Sequence, residues 1–407
     1  MSRRPVHALA SGRPVALQFA PLNKDLSVQQ GPIGAKVTGA IISRLRGWPR
    51  LDIQLLRSSE GAKMRYRLLG GTGLKVSVLT LGTMTFGGVG DFRQVGSTTV
   101  DQARRLLDLC ADVGINLVDT ANIYSGGTAE EILGQALRGR RDQFIVATKV
   151  GMRMGAGPND LGSSKYHIVQ QCDASLKRLQ TGHIDLYQLH SWDSQTPMDE
   201  TLGALADLQR AGKVRYIGCS NFSAWHLSKA VTASVQLGLP RFASHQIYYS
   251  LQAREAEYEL VPMATDQNMG VLVWSPLAGG LLSGKYRRDI GTPEGSRRAF
   301  GWTDPPVTNE SQLFDIVDVL LDIAASRQVS AARVALAYLL GKPAVTSLVI
   351  GARNEEQLLD NLGAGELELD AGEMARLDNV SAPALLYPYW HQVQSAGNLA
   401  SRAVMTT

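Results

Sequence analysis

LVDTANIY, residues 117–124, is a short apolar run closed by a carboxylate, a polar turn and a phenol. A run of this kind, β-prone and stopped by polar residues, reads as a buried strand. It sets Asp119 at the strand's carboxyl end and Tyr124 in the loop beyond. Two later runs repeat the form: FIVATKV (144–150) brings Lys149 to its end, and IDLYQLH (184–190) ends on His190. Further strand candidates fall at 79–84, 214–220, 243–249, 271–275 and 347–351. Helical patterns lie between them at 99–113, 128–139, 165–180, 199–211, 223–237, 255–268 and 311–340, with a last pair at 354–362 and 371–379. Eight β-then-α units over about 300 residues fit an α/β fold of the (β/α)8, or TIM barrel, type. Gly70-Gly71-Thr72-Gly73, between MRYRLL and LKVSVL, signals a leading hairpin expected to plug the barrel's bottom. A doubly wound sheet would need a glycine-rich fingerprint after its first strand, and LGTMTFGG (81–88) lacks the GxGxxG spacing.

The chain has 407 residues, 44% hydrophobic and 19% charged, the balance of a soluble globular protein with an ample core. No stretch approaches about 18 uninterrupted apolar residues, so no membrane span is expected. Cys110, Cys172 and Cys219 form no CxxC pair. That favours a reduced, cytoplasmic setting over a disulfide framework or a zinc site. The net charge of +4 is uneven. Residues 1–63 hold seven Arg and three Lys against three acids, a balance of +7 that leaves −3 for the rest. No basic stripe is interleaved with aromatics, so nucleic-acid binding is not indicated. Residues 1–63 show no sustained periodicity. They read as a basic, disordered, non-core extension, with a transit segment or an upstream start as the alternatives. The barrel domain is assigned to 64–407.

In such barrels the chemistry sits at the carboxyl ends of the strands. Asp119, Tyr124, Lys149 and His190 should therefore share one mouth. A phenol with an ordinary pKa near 10 is a weak acid at neutral pH, and a neighbouring ammonium should lower that value. A buried lysine needs a counter-charge, which Asp119 supplies. A histidine beside a carbonyl oxygen can donate a second hydrogen bond. The four residues could protonate a carbonyl oxygen while a nicotinamide delivers hydride to its carbon, with Tyr124 as general acid.

Residues 64 to about 390 resemble the aldo-keto reductases. LVDTANIYSGGTAEEILGQAL, ATKVG and DLYQLHSWD are similar to the family's aspartate–tyrosine, lysine and histidine segments. YIGCSNFS, SHQIYYSL, WSPLAGGLLSGKY and VIGARNEEQLLDNL are similar to its cofactor segments. The resemblance implies a nicotinamide dinucleotide held across the barrel mouth without a Rossmann domain. By position, Gly82, Thr83 and Met84 would meet the nicotinamide ribose. Ser220, Asn221 and Gln246 would hold the carboxamide, and Trp274 would face the ring. Ser275, Pro276, Leu277, Gly279 and Gly280 would approach the pyrophosphate, which Lys285 and Arg297 could reach from the long loop 278–310. Gly351, Arg353, Gln357 and Asn361 would serve the adenosine end. Arg353 suits a 2′-phosphate because a guanidinium pairs with phosphate as a fork, so NADPH is expected over NADH. The resemblance is to the branch of bacterial general reductases and potassium-channel β-subunits. It leaves two implications: a reductase or alcohol dehydrogenase acting on a small-molecule carbonyl or alcohol, or a cofactor-bound regulatory subunit that reports redox state to a partner. The channel branch tends to carry asparagine at the position of His190, which favours the first. Met84, Phe86, Trp192, Tyr389 and Trp390 are the expected aromatic-rich substrate rim, the last two from a C-terminal segment draped over the mouth.

Overall fold

The computed structural model of the chain describes residues 64–396; the expected extension at 1–63 lies outside them. Tyr66–Leu68 (β1) and Lys75–Ser77 (β2) form the antiparallel hairpin, with Arg67 opposite Val76. Eight parallel strands then close a barrel: Leu79–Gly82 (β3), Leu117–Asp119 (β4), Ile145–Val150 (β5), Ile184–Leu189 (β6), Val214–Ser220 (β7), Ser244–Tyr248 (β8), Gly270–Trp274 (β9) and Val345–Ile350 (β10). Each pairs with the next, and β10 returns to β3, so no edge is left unpaired. Strands buried on both faces read as continuous apolar runs; β6, buried along its whole length, is the plainest case.

The hairpin closes the amino-terminal end. Leu69 and Val76 are fully buried in one cluster with Leu117, Ala147, Leu186 and Leu272 from the strands. Side chains of that size contribute about 1.5–3 kcal/mol each when fully buried. The turn lies flush against the loop before β9. Gly70 has φ +56, and a Cβ there would sit 2.5 Å from the Asn268 carbonyl oxygen, so only glycine fits. Arg67 pins the hairpin by donating to the carbonyls of Leu340 (2.7 Å) and Val345.

Helices occupy the expected intervals, with two departures. The 311–340 pattern is two helices, Glu310–Arg327 and Ala331–Leu340. Gln328 turns left-handed at φ 57, and Ser330 caps the second helix by accepting from the Arg333 N–H at 3.1 Å. The 255–268 pattern shortens to a turn at Glu255–Glu257 and a helix at Leu260–Asp266. Among the described residues no helix is long and apolar enough to cross a membrane, and no group of His, Cys, Asp or Glu could hold a metal ion.

Candidate active site

At the carboxyl mouth, strand pairing alone aligns the key side chains. Asp119 ends β4 opposite Ala147, and Lys149 sits two residues further along β5, opposite Gln188 of β6. Tyr124 opens a short turn after β4, and His190 follows β6 directly. Backbone strain also gathers here. Ser125, Asn221, Ser275 and Ala278, in the loops after β4, β7 and β9, have φ between 50 and 58. Such conformations persist only where the surroundings over-determine them, as at functional sites.

Lys149 is fully buried. Its ammonium donates to an Asp119 carboxylate oxygen, to the Thr120 carbonyl oxygen (2.9 Å) and to the Tyr124 hydroxyl (3.3 Å). An ammonium has no acceptor, so the phenol oxygen accepts and its own proton is left to point elsewhere. The second Asp119 oxygen accepts from Gln188 Nε2 (3.2 Å) and Gln246 Nε2 (2.9 Å). The His190 ring meets the Tyr124 ring edge-on, 5.9 Å between centroids.

The electrostatics modify the sequence expectation in one respect. Burial raises the Tyr124 pKa; Lys149 pulls it down, Asp119 pushes it up, and the balance lies above the ordinary value. The lysine limits an upward shift and does not yield an acidic phenol. At Lys149, burial works to lower the pKa, but Asp119 and Tyr124 outweigh it, and the residue stays a cation. Burial first, and Lys149 second, push His190 down to about 3, so its imidazole is neutral at neutral pH. Its Nδ1 is buried without a hydrogen-bond partner among the described residues.

A cavity of about 810 Å³ runs from these residues across the mouth, a size in the range of sites for small molecules and cofactors. Every residue expected to hold a dinucleotide lines it: Gly82, Thr83, Met84, Asp119, Ser220, Asn221, Gln246, Trp274, Ser275, Pro276, Leu277, Gly279, Gly280, Lys285, Arg297, Gly351, Arg353, Gln357 and Asn361. Lys149 does not line it, being sealed behind Asp119 and Tyr124. Trp274 stacks on Tyr248 (4.8 Å) and donates from its indole N–H to Asn221 Oδ1 (3.0 Å). Asn221 in turn donates to the His190 carbonyl oxygen (3.0 Å).

The far end is cationic. Partial burial and the neighbouring guanidiniums of Arg353 and Arg297 lower the Lys285 pKa. Burial and Arg353 bring Arg297 down to about 10, still a cation at neutral pH. None of the three has an ion-pair partner among the described residues. Arg353 donates instead to the carbonyls of Gly295 (2.7 Å) and Val95 (3.3 Å), bridging two loops at the mouth. Gly279 and Gly280 lie between, at φ 66 and 97, and a Cβ on Gly280 would sit 3.5 Å from Lys285 Nζ. Three crowded, unpaired cations beside a bare glycine backbone fit an anionic group such as a pyrophosphate.

The substrate rim differs from expectation. Met84, Tyr124 and His190 line the cavity; Phe86, Trp192, Tyr389 and Trp390 do not. Phe86 is fully buried. Trp192 stacks on His226, 3.9 Å between centroids. Tyr389 stacks on Tyr258 (4.7 Å) and donates to Glu259 (2.8 Å), and Trp390 is exposed on the same terminal helix, Tyr389–Ala396. The apolar lining near Tyr124 comes instead from Phe92, Ile123, Met152 and Trp302. Phe92 packs 5.6 Å from the Tyr124 ring and 6.2 Å from Trp302. These residues stand in irregular loops where no periodicity marks them, and Gln188 was hidden in the uniformly buried β6.

A profile described as the Aldo/keto reductase family matches residues 78–382, well over half of the chain. An uncharacterised oxidoreductase, YrpG, of Bacillus subtilis (strain 168) is 40% identical over 328 residues, covering 78% of this chain and 96% of that protein. Proteins named as probable voltage-gated potassium channel β-subunits are 37% identical over 309 residues in both Arabidopsis thaliana and Oryza sativa subsp. japonica, covering 74% of this chain and 91% of each of them. With the closed barrel and the Asp119–Lys149–Tyr124–His190 mouth, these matches place the chain in the aldo/keto reductase family of oxidoreductases.

Proposed function

We propose that this protein interconverts an aldehyde or ketone and the corresponding alcohol with NADP(H), Tyr124 exchanging the proton. The observation that carries the reading is the hydrogen bond from the sealed Lys149 ammonium to the Tyr124 hydroxyl, which leaves the phenol proton free toward the cavity. A reduced nicotinamide, when bound, supplies the reducing equivalent to the carbonyl carbon. The residues to hold it are the strained Asn221 and Ser275 with Ser220, Gln246 and Trp274 at the ring. Gly279, Gly280, Lys285 and Arg297 would take the pyrophosphate, and Arg353, Gln357 and Asn361 the adenosine end.

Tyr124 donates its proton to the carbonyl oxygen as negative charge develops there. The charge left on the phenol oxygen falls beside Lys149, whose ammonium is already in place. Asp119 keeps that ammonium charged, and the amides of Gln188 and Gln246 fix the carboxylate. His190, neutral, adds a hydrogen bond to the oxygen without adding charge. In the reverse direction the phenolate takes the proton back, and burial of Tyr124 favours the neutral form. Proton transfer by a positioned group of this kind contributes a factor of about 10²–10⁴.

The names of the plant relatives favour a second reading, a cofactor-bound regulatory subunit with little turnover. Fluorescence titration with NADPH and NADH, followed by a panel of carbonyl substrates, separates the two. Tighter NADPH binding with turnover of at least one aldehyde supports the reductase. Binding without turnover on any of them supports the regulatory subunit, and binding of neither nucleotide defeats both.

A further inference from the structure

We infer that the reacting end of the cavity selects its substrate by charge, favouring neutral or cationic aromatic carbonyls over those bearing a carboxylate, with Asp91 as the specificity-determining residue. This rests on the reading of Tyr124 as proton donor.

Three cations and four acids line the cavity. All three cations, Lys285, Arg297 and Arg353, belong to the loop after β9 and to the start of the loop after β10. The acids are Asp91, Asp119, Asp304 and Asp360. Asp119 is neutralised by Lys149. Asp360 accepts from Arg333 (2.9 Å) and Ser330 (2.7 Å). Asp304 is drawn to the cationic side: burial raises its pKa while Arg297 lowers it. Asp91 and Asp304 have no hydrogen-bond or ion-pair partner among the described residues, and of the two only Asp304 feels the charge of Arg297.

Asp91 is the second residue of the short turn Gly90–Gln94, next in sequence to Phe92. Phe92 is the ring packed against Tyr124 on one side and Trp302 on the other. His190, pushed down to about 3, adds no positive charge. A substrate whose carbonyl reaches Tyr124 therefore meets, on the Phe92 side, the exposed and unpaired Asp91 carboxylate and two aromatic rings. A cationic substituent there gains both a carboxylate and ring faces. A carboxylate substituent gains neither and is repelled.

The test uses 4-(trimethylammonio)benzaldehyde, neutral 4-nitrobenzaldehyde and 4-carboxybenzaldehyde with NADPH, comparing the native protein with Asp91→Asn and Asp91→Lys. Ring electronics are the same in all three proteins, so a change in the kcat/KM ratios isolates charge. The cation-to-anion ratio should fall about tenfold in Asp91→Asn, further in Asp91→Lys, and should shrink with added salt in the native protein. Unchanged ratios in both variants overturn the inference. A second arm needs no turnover: binding of benzyltrimethylammonium and of benzoate, followed by intrinsic fluorescence, with saturating NADP+ present so that Lys285, Arg297 and Arg353 are not open to the benzoate. The cation should bind more tightly, and Asp91→Asn should remove the preference; equal binding of both probes in the native protein overturns the inference. Failure of all three aldehydes to react, with the probe preference intact, counts against the reductase reading and leaves the charge selection standing.

Discussion

Asp119→Asn preserves the shape of the side chain and removes the charge on which Lys149 depends. One carboxylate oxygen accepts from the ammonium and the other from two glutamine amides. An asparagine has one oxygen and one NH2, so a donor must face donors on one side or the other. If the oxygen keeps the lysine, Gln188 and Gln246 must turn their amides, leaving buried N–H groups unmet at about 1–3 kcal/mol. The ammonium is then fully buried without a counter-charge, and breaking such a pair costs about 3–5 kcal/mol. In a domain of this size that is a fall in Tm on the order of 5–10 °C. The pH dependence carries the sharper signature. In the native protein the Lys149 pKa is raised, so it is charged in folded and unfolded chains alike across pH 6–10 and adds no slope. In the variant, burial acts without Asp119 and drives the folded pKa below the unfolded value. The unfolded chain then binds more protons, and stability rises with pH. The deficit is thus largest near pH 6 and narrows toward pH 10. Adding Lys149→Met to Asp119→Asn should recover stability, because no charge is left buried. Urea titrations of the three proteins at pH 6, 8 and 10 decide the matter. A single variant within about 1 kcal/mol of the native protein at every pH, or a double variant less stable than the single one, refutes the argument.

Further outcomes are expected elsewhere. Arg353→Ala should weaken NADPH more than NADH in fluorescence titration; the bridge to Gly295 and Val95 predicts some loss for both, and equal losses rule out a 2′-phosphate contact. His245 is fully buried, and its Nε2 accepts from the Phe222 N–H (3.3 Å), a bond that protonation would break. Burial lowers its pKa to about 4 against 6.5 in the unfolded chain. The native state therefore binds fewer protons between these values, and stability falls as pH drops through that window, by about 1.4 kcal/mol per pH unit for this residue. His245→Gln should remove that share of the slope in Tm measured from pH 6.5 to 4.5, and an unaltered slope would assign the acid sensitivity to other groups.

The barrel was legible because each buried parallel strand shows as a short apolar run ended by polar residues. Asp119, Lys149 and His190 stood out by breaking three such runs at the same relative depth. The split between Arg327 and Ala331 was not seen, because Gln328 and Val329 interrupt neither composition nor the helical period strongly. Gln188 escaped notice for the opposite reason: in a strand buried on both faces nothing in sequence separates inward from outward side chains. Phe92 and Trp302 sit in loops, where position follows from tertiary packing alone. Tyr389 and Trp390 were expected over the mouth because the family resemblance implies a C-terminal segment draped there. The stack of Tyr389 on Tyr258 draws that helix to the loop after β8 instead.

The account turns on a phenol that gives its proton to a carbonyl oxygen while a sealed ammonium holds the charge left behind. Single-turnover reduction of 4-nitrobenzaldehyde by native protein and by Tyr124→Phe, with NADPH affinity measured in the same samples, addresses this directly. The account predicts affinity nearly unchanged and the chemical step slowed at least about a hundredfold. A phenylalanine variant that reduces the aldehyde at the native rate would contradict it.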